Sequence, residues 1–255
     1  METAMDRALY TAMTGAKNNM LAQASHANNL ANANTQGFRA DFAQARSMAI
    51  YDGPGLPSRV FSMVENPGTD FRPGAVQETG RELDIAINGE GFFAVQAPDG
   101  TEAYSRDGGL NIDVNGVLRN SKGLPVVGTG GPIALPPAEK IEIAEDGTIS
   151  AVLLGQGVDQ PVVIDRIKMV SVDSRTLEKF EDGLIRLREG GKDGEVIAPD
   201  PNMKLVSGFL ETSNVNTVDE FTNMLSLSRQ YEIQIKMMTT VKENSESSSQ
   251  LLRMS

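Results

Sequence analysis

Ser25-His26-Ala27-Asn28-Asn29-Leu30-Ala31-Asn32-Ala33-Asn34-Thr35-Gln36-Gly37-Phe38-Arg39 closes a helical pattern that begins near Thr3. From Asn18 to Phe38 there is no Asp, Glu, Lys or Arg, yet six positions are Asn. A helix that faces water in a monomer carries charge on its outer side. Here that side is amide and alanine, which suits close contact with other helices in several directions. The same Asn content argues against a membrane span, which needs about 20 predominantly apolar residues. The stretch reads as part of a helix meant for burial in an assembly.

Upstream, Leu9, Ala12, Met13, Ala16, Met20, Ala24, Ala27 and Ala31 follow the three-and-four spacing of one helical face. Gly15 is the only breaker before the expected stop at Gly37, and an isolated Gly costs roughly 1 kcal/mol against Ala. At the other end, Ser213 to Ser255 contains no Gly and no Pro. As one helix it would reach roughly 60 Å at ~1.5 Å per residue. Phe221, Met224, Leu225, Tyr231, Ile235 and Met238 make one stripe, and Ile233, Met237 and Val241 a second. Two stripes mean burial on more than one side. The Ser247-Ser248-Ser249 run predicts fraying or a local break. Long helices at both ends with matching small and apolar faces predict an antiparallel coiled coil between the termini. The alternative is two separate helices docked on the middle of the chain. Without packing partners such helices are marginal, so they are expected to fold on assembly.

The middle is turn-rich β sequence. Leu83-Asp84-Ile85-Ala86-Ile87 alternates with period two, and Gly91-Phe92-Phe93-Ala94-Val95 follows a tight Asn88-Gly89 turn. Leu110, Ile112 and Val114 alternate into Asn115-Gly116, a type I′ hairpin signal. Further strands are expected near 141–143, 149–153, 162–172 and 185–187, punctuated by Asp-Gly at 99–100, 146–147 and 182–183. Residues 38–80 fit neither class and are rich in Gly and Pro in their second half. They read as an extended connector, strand-like around Arg59–Val64. The expected fold is therefore α+β. Residues 1–36 and 210–255 form a helical coiled-coil domain, 37–82 the connector, and 83–209 a β-rich domain built as a sandwich or irregular barrel.

Charge and composition narrow the function. The chain has 255 residues and a net charge of −11, which argues against a nucleic-acid groove. Residues 1–36 are neutral in sum and 213–255 carry −1, so the acid lies in the middle. Neutral ends suit packing, and an acidic middle suits solubility. Cysteine is absent, which removes disulfides and thiolate metal sites. The N-terminus lacks the basic start and apolar run of a secretory signal.

No chemistry is expected. His26, the only histidine, lies among small helix residues away from every expected β-loop. Asp113-Val114-Asn115-Gly116 fails as a calcium loop of the EF-hand kind, because the twelfth position is Leu124. Gly123–Gly131 lacks the Lys-Ser/Thr of a P-loop, and Gly89-Glu90-Gly91 is followed by a strand. Glu142 and Glu145 belong to a solvated acidic surface. No catalytic, metal or cofactor site is expected.

Ser25, Ala27, Asn28, Asn29, Leu30, Ala31, Asn32, Thr35, Gly37 and Phe38 resemble the N-terminal signature of flagellar rod and hook proteins. The resemblance continues through Leu83-Asp84 and Gly91-Phe92-Phe93. It resumes at Tyr104-Ser105-Arg106-Asp107-Gly108 with Asp113, Gly116, Leu118, Gly123 and Pro125-Val126. Gly208-Phe209-Leu210-Glu211-Thr212-Ser213-Asn214-Val215-Asn216 leads into the last helix, where Arg229, Tyr231 and Glu232 are also family-like. The opening Met5–Met13, Gln234–Met238 and the ending Leu251–Ser255 are most similar to the proximal rod members.

The resemblance implies a structural subunit of the periplasmic rod, exported through the flagellum's own channel without a cleaved signal peptide. Its implied partners are other rod proteins, copies of itself and the flagellar export apparatus, without nucleic acid or direct membrane insertion. The packing residues it suggests are Leu9, Met13, Met20, Asn28, Asn29, Leu30, Asn32, Phe221, Leu225, Tyr231, Ile235 and Met238. A distal rod or hook subunit is the nearest alternative, and a secreted ligand-binding β-module the alternative of another class.

Overall fold

Why the ends are helical and the middle is not is visible in how each segment satisfies its backbone. The computed structural model describes residues 2–42, 45–50, 59–64, 68–154, 161–180, 182–188 and 196–253. The Gly53-Pro54-Gly55 and Pro57 part of the expected connector lies outside them. The architecture is α+β, with one helix at each end and a β-rich middle. The chain divides into two compact units. One is built from Met1–Ala31, Asp41–Asp70 and Asn216–Ser255, the other from Asn32–Ala40 and Phe71–Val215.

The first unit holds α1 (Glu2–Ala31), β1 (Asp41–Phe42), β2 (Ala45–Ile50), β3 (Arg59–Val64), β4 (Gly68–Thr69) and α2 (Thr217–Arg253). β1 pairs with β4 and β2 with β3, both antiparallel. The expected strand over Arg59–Val64 is β3 itself. Helix α1 stops at Ala31, three residues short of Asn34, where the helical pattern was expected to run out ahead of Gly37. Beyond it, Thr35 donates its backbone N–H to Asn32 O at 3.0 Å and its hydroxyl to Asn32 Oδ1 at 3.1 Å. Short polar side chains that bond locally compete with the helix ladder, and here they end it.

Helix α2 starts on a reciprocal cap. Asn216 Oδ1 accepts the Val218 N–H at 3.1 Å, and Asn216 Nδ2 donates to Asp219 Oδ2 at 2.8 Å. Asp219 and Glu220 add negative charge to the first turn, where the helix dipole favours it. The helix continues through Ser247–Ser249 without the expected break. Serine in a helix costs only a few tenths of a kcal/mol per residue, roughly, too little to interrupt a segment lacking Gly and Pro.

The second unit strings together β5 (Val76–Glu78), β6 (Ile85–Asn88), β7 (Phe92–Gln96), β8 (Glu102–Ser105), β9 (Asn111–Ile112), β10 (Leu118–Arg119), β11 (Ala138–Ile143), β12 (Thr148–Leu153), β13 (Val162–Arg166), β14 (Met169–Val170), β15 (Leu177–Lys179), β16 (Ile185–Leu187), β17 (Lys204–Ser207) and β18 (Phe209–Glu211). They form several small antiparallel sheets: β14-β7-β8-β16-β15, β11-β12-β13, and the pairs β17-β6, β18-β5 and β10-β9. The Asn88-Gly89 turn does not make a hairpin, because β6 and β7 enter different sheets. Ile85, Phe93, Leu110, Leu118, Ile133, Ile149 and Leu205 centre the main core. Phe92, Tyr104, Val170, Leu177 and Ile185 centre a second.

One turn recurs five times. At Ala97, Asp113, Asn120, Ala144 and Phe180 the carbonyl accepts the N–H of a glycine three residues on, and the N–H donates to the carbonyl four residues on. The glycines, 100, 116, 123, 147 and 183, have φ between 75° and 86°. This is a type I turn closed by a glycine bulge. The type I′ expectation at Asn115-Gly116 is corrected, since that turn needs positive φ at both residues and Asn115 does not have it. The hairpin itself stands, as β9 pairs with β10 across it.

Candidate functional site: the helix-pair surface

Helices α1 and α2 pack side by side in opposite directions. Gly15 faces the side-chain amide of Gln234, which would lie 3.0 Å from a Cβ at that position. Eleven residues further along α1, His26 Nδ1 meets Glu220 Oε2. On α2 half-buried Glu220, Met224, Leu227, Tyr231, Gln234, Met238 and Val241 follow one another in steps of four and three, with half-buried Ser228 beside Leu227. Facing them, α1 offers buried Ala12 and Ala16 and half-buried Asn19, Gln23 and His26. Small and amide side chains on one helix thus make room for Met, Leu and Tyr on the other.

A polar network lies at the Glu220 end. Asn29, 1 % exposed, donates from Nδ2 to Asp41 O at 2.6 Å and to Glu220 Oε1 at 3.1 Å. Its Oδ1 accepts the Asp41 N–H at 2.9 Å, and Ser25 Oγ also donates to Asp41 O at 3.2 Å. Asn29 therefore ties α1, α2 and β1 with one amide. The partner of His26 is a carboxylate on the opposite helix, an arrangement for pairing helices.

The apolar residues of α2 named from sequence as one stripe divide between two faces. Met224, Tyr231 and Met238 are half-buried toward α1, whereas Phe221, Leu225 and Ile235 are exposed. On α1, Leu9, Met13 and Met20 are exposed, as is Asn28. Leu30 and Asn32 are half-buried. Tyr10, Leu21, Ile233 and Met237 extend the exposed apolar area. Sequence reasoning missed Glu220, Leu227 and Gln234. Their signal was the alternation of fours and threes through Met224, Tyr231 and Met238, which passes over polar positions.

In the β-rich unit two ion pairs belong to the fold. Asp113 pairs with Arg119 at 3.0 Å across its turn. Buried Lys168 reaches Glu102 at 2.7 Å. Among the described residues no group of three or more His, Asp or Glu is placed to hold a metal, and no helix is long and apolar enough to cross a membrane.

Three family models match the chain in order. "Flagella basal body rod protein" covers residues 9–39, "Flagellar hook protein FlgE/F/G D1 domain" covers 86–151, and "Flagellar basal body rod FlgEFG protein C-terminal" covers 206–251. The flagellar basal-body rod protein FlgF of Salmonella typhimurium is 41% identical over 253 residues, spanning 98% of this chain and 100% of that one. The chain belongs to the flagellar basal-body rod protein family. Within that family, FlgF of Escherichia coli is 40% identical with the same coverage. FlgG of Buchnera aphidicola subsp. Acyrthosiphon pisum is 36% identical over 88% of this chain and 91% of its own. The two rod-protein models at the ends fall largely on α1 and α2, and the hook-protein model falls on the β-rich unit. With relatives of this kind, the rod-family chain is a structural protein and not an enzyme.

Proposed function

We propose that this chain is a structural subunit of the proximal rod of the bacterial flagellar basal body. It polymerises through its terminal helices, with copies of itself and with other rod proteins, into a shaft that transmits torque. The observation that carries this reading is the exposed apolar area on the outer faces of α1 and α2, on chain ends of nearly zero net charge. Within the end segments 1–36 and 210–255, α1 and α2 act as an antiparallel coiled coil, a geometry supported by the opposed helices and the fours-and-threes burial of α2. Leu9, Met13, Met20, Asn28, Phe221, Leu225 and Ile235 then face neighbouring subunits, while Tyr231, Met238, Leu30 and Asn29 hold the pair together. Residues 37–82 brace adjacent subunits, and the acidic β-rich domain, 83–209, keeps the subunit soluble. The rod crosses the periplasm, which the subunit reaches through the flagellar export apparatus without a cleaved signal peptide. The higher identity to FlgF than to FlgG favours the proximal over the distal rod.

The test separates assembly from folding. Leu225 and Ile235 are 45 % and 40 % exposed, so Leu225→Asp and Ile235→Asp are expected to cost the free chain only about 1–2 kcal/mol and to leave it folded. In the rod each would bury an unpaired charge. Basal bodies purified from cells carrying either variant should lack the subunit, and swimming should be lost. Normal motility in both would sink the packing scheme.

A further inference from the structure

The Glu211–Asn214 segment, which no step of rod packing explains, gathers three distant stretches of the β-rich unit. Glu211 is buried and its carboxylate takes Arg39 Nη2 at 2.6 Å on one oxygen and Arg106 Nη1 at 2.8 Å on the other. The oxygen facing Arg39 also accepts the Gly74 N–H at 2.9 Å, and the Glu211 carbonyl accepts the Gly37 N–H at 2.9 Å. Three residues on, Asn214 Oδ1 accepts the Ala40 N–H at 2.8 Å, and Asn214 Nδ2 donates to Arg72 O at 3.1 Å. Gly37 has φ +64°, and a Cβ there would fall 2.3 Å from the Arg106 carbonyl carbon. The stretch leaving α1, the stretch following β4 and the stretch entering α2 are therefore pressed together.

We propose that Glu211 and Asn214 form a junction lock, which fixes the segment leading into α2 against the segment leading out of α1 so that the two helices meet as an intramolecular pair. A buried charge cluster contributes little net stability compared with apolar packing, but it is selective for its partners. Here the partners come from separate segments, which is what a lock between chain passages requires. Without it, roughly 190 residues separate the end of α1 from the start of α2; with it, about a dozen do. Local concentration scales near the −3/2 power of loop length, so the lock is worth on the order of 50-fold in helix encounter. The pairs β18-β5 and β17-β6 retain part of that, leaving about tenfold to be lost when the lock is broken.

The chain has no cysteine, so a clean probe is available. In the full chain carrying Gly15→Cys and Gln234→Cys, the effective concentration of the two thiols is read from disulfide formation against a glutathione buffer. Glu211→Ala combined with Asn214→Ala in that background is expected to lower it about tenfold, and Asn214→Ala alone about threefold, while amide protection in β7 and β8 is kept. An effective concentration within about twofold of the parent would overturn the lock. So would a loss seen only when β7 and β8 lose protection too. If Glu211→Ala does not fold, Asn214→Ala decides, because it removes the bonds to Ala40 and Arg72 without stranding the buried arginines. The outcome is independent of whether Leu225→Asp blocks incorporation into a rod.

Discussion

Asn28 and Asn29 are adjacent amides with different surroundings. Asn29 satisfies both backbone polar groups of Asp41 and reaches Glu220, while Asn28 is exposed. Asn29→Ala would take the Asn29 bond from the half-buried Asp41 N–H, while Asp41 O keeps Ser25 and Glu220 keeps His26, and is expected to cost about 1 kcal/mol in urea unfolding. Asp107 offers a test by pH. Burial pushes its carboxyl above the ordinary 3.8, opposed by hydrogen bonds from Ser121 and Gly109. A carboxyl raised in the folded state binds protons there more readily than in the unfolded chain. Its ionised form therefore weakens the fold at neutral pH, and that penalty fades as pH falls through the folded-state value. Asp107→Asn is expected to raise Tm at pH 7 and to lose the advantage in melts taken near pH 4.

Among elements, the recurring glycine-bulge turns make a matched comparison. Gly116 and Gly123 have φ of +78° and +80°, but a Cβ at 116 would fall 2.4 Å from the Leu135 carbonyl oxygen, and one at 123 meets nothing within 4 Å. Gly123→Ala should cost about 1–2 kcal/mol in thermal or urea unfolding for backbone strain alone, and Gly116→Ala about 1 kcal/mol or more beyond that. Four of these turns were legible as Asp-Gly or Asn-Gly pairs, at 99–100, 115–116, 146–147 and 182–183, whereas the fifth, at Lys122-Gly123, carries no such pair. The turn type at Asn115 was not legible, because one added residue separates the two geometries. Both helices were legible from periodicity and breakers. The division of α2 into inner and outer faces was not: both faces are apolar, and Gln234 and Glu220 on the inner one look like surface residues. The pairings β17-β6 and β18-β5 join strands more than a hundred residues apart, and neither strand names its partner.

For the molecule as a whole, the neutral charge and the small and apolar faces of the two ends were legible in sequence, and so were the two terminal helices. The Glu211 cluster could not, because two arginines and a glutamate at positions 39, 106 and 211 look independent until the fold brings them together. Limited proteolysis of the free protein is expected to remove α1 and α2 first and to leave a resistant fragment near residues 71–215. Full protection of both ends would favour the secreted binding module instead. The exposed methionines carry one more consequence. Met13, Met20 and Met237 present thioethers to water on the faces assigned to neighbours. Peroxide would convert each to a polar sulfoxide, which suits solvent but not a tight apolar seam. Oxidative damage should therefore accumulate on subunits still waiting to be used and spare those already in place. The oxidation state of three side chains would then record whether a given copy had reached its post.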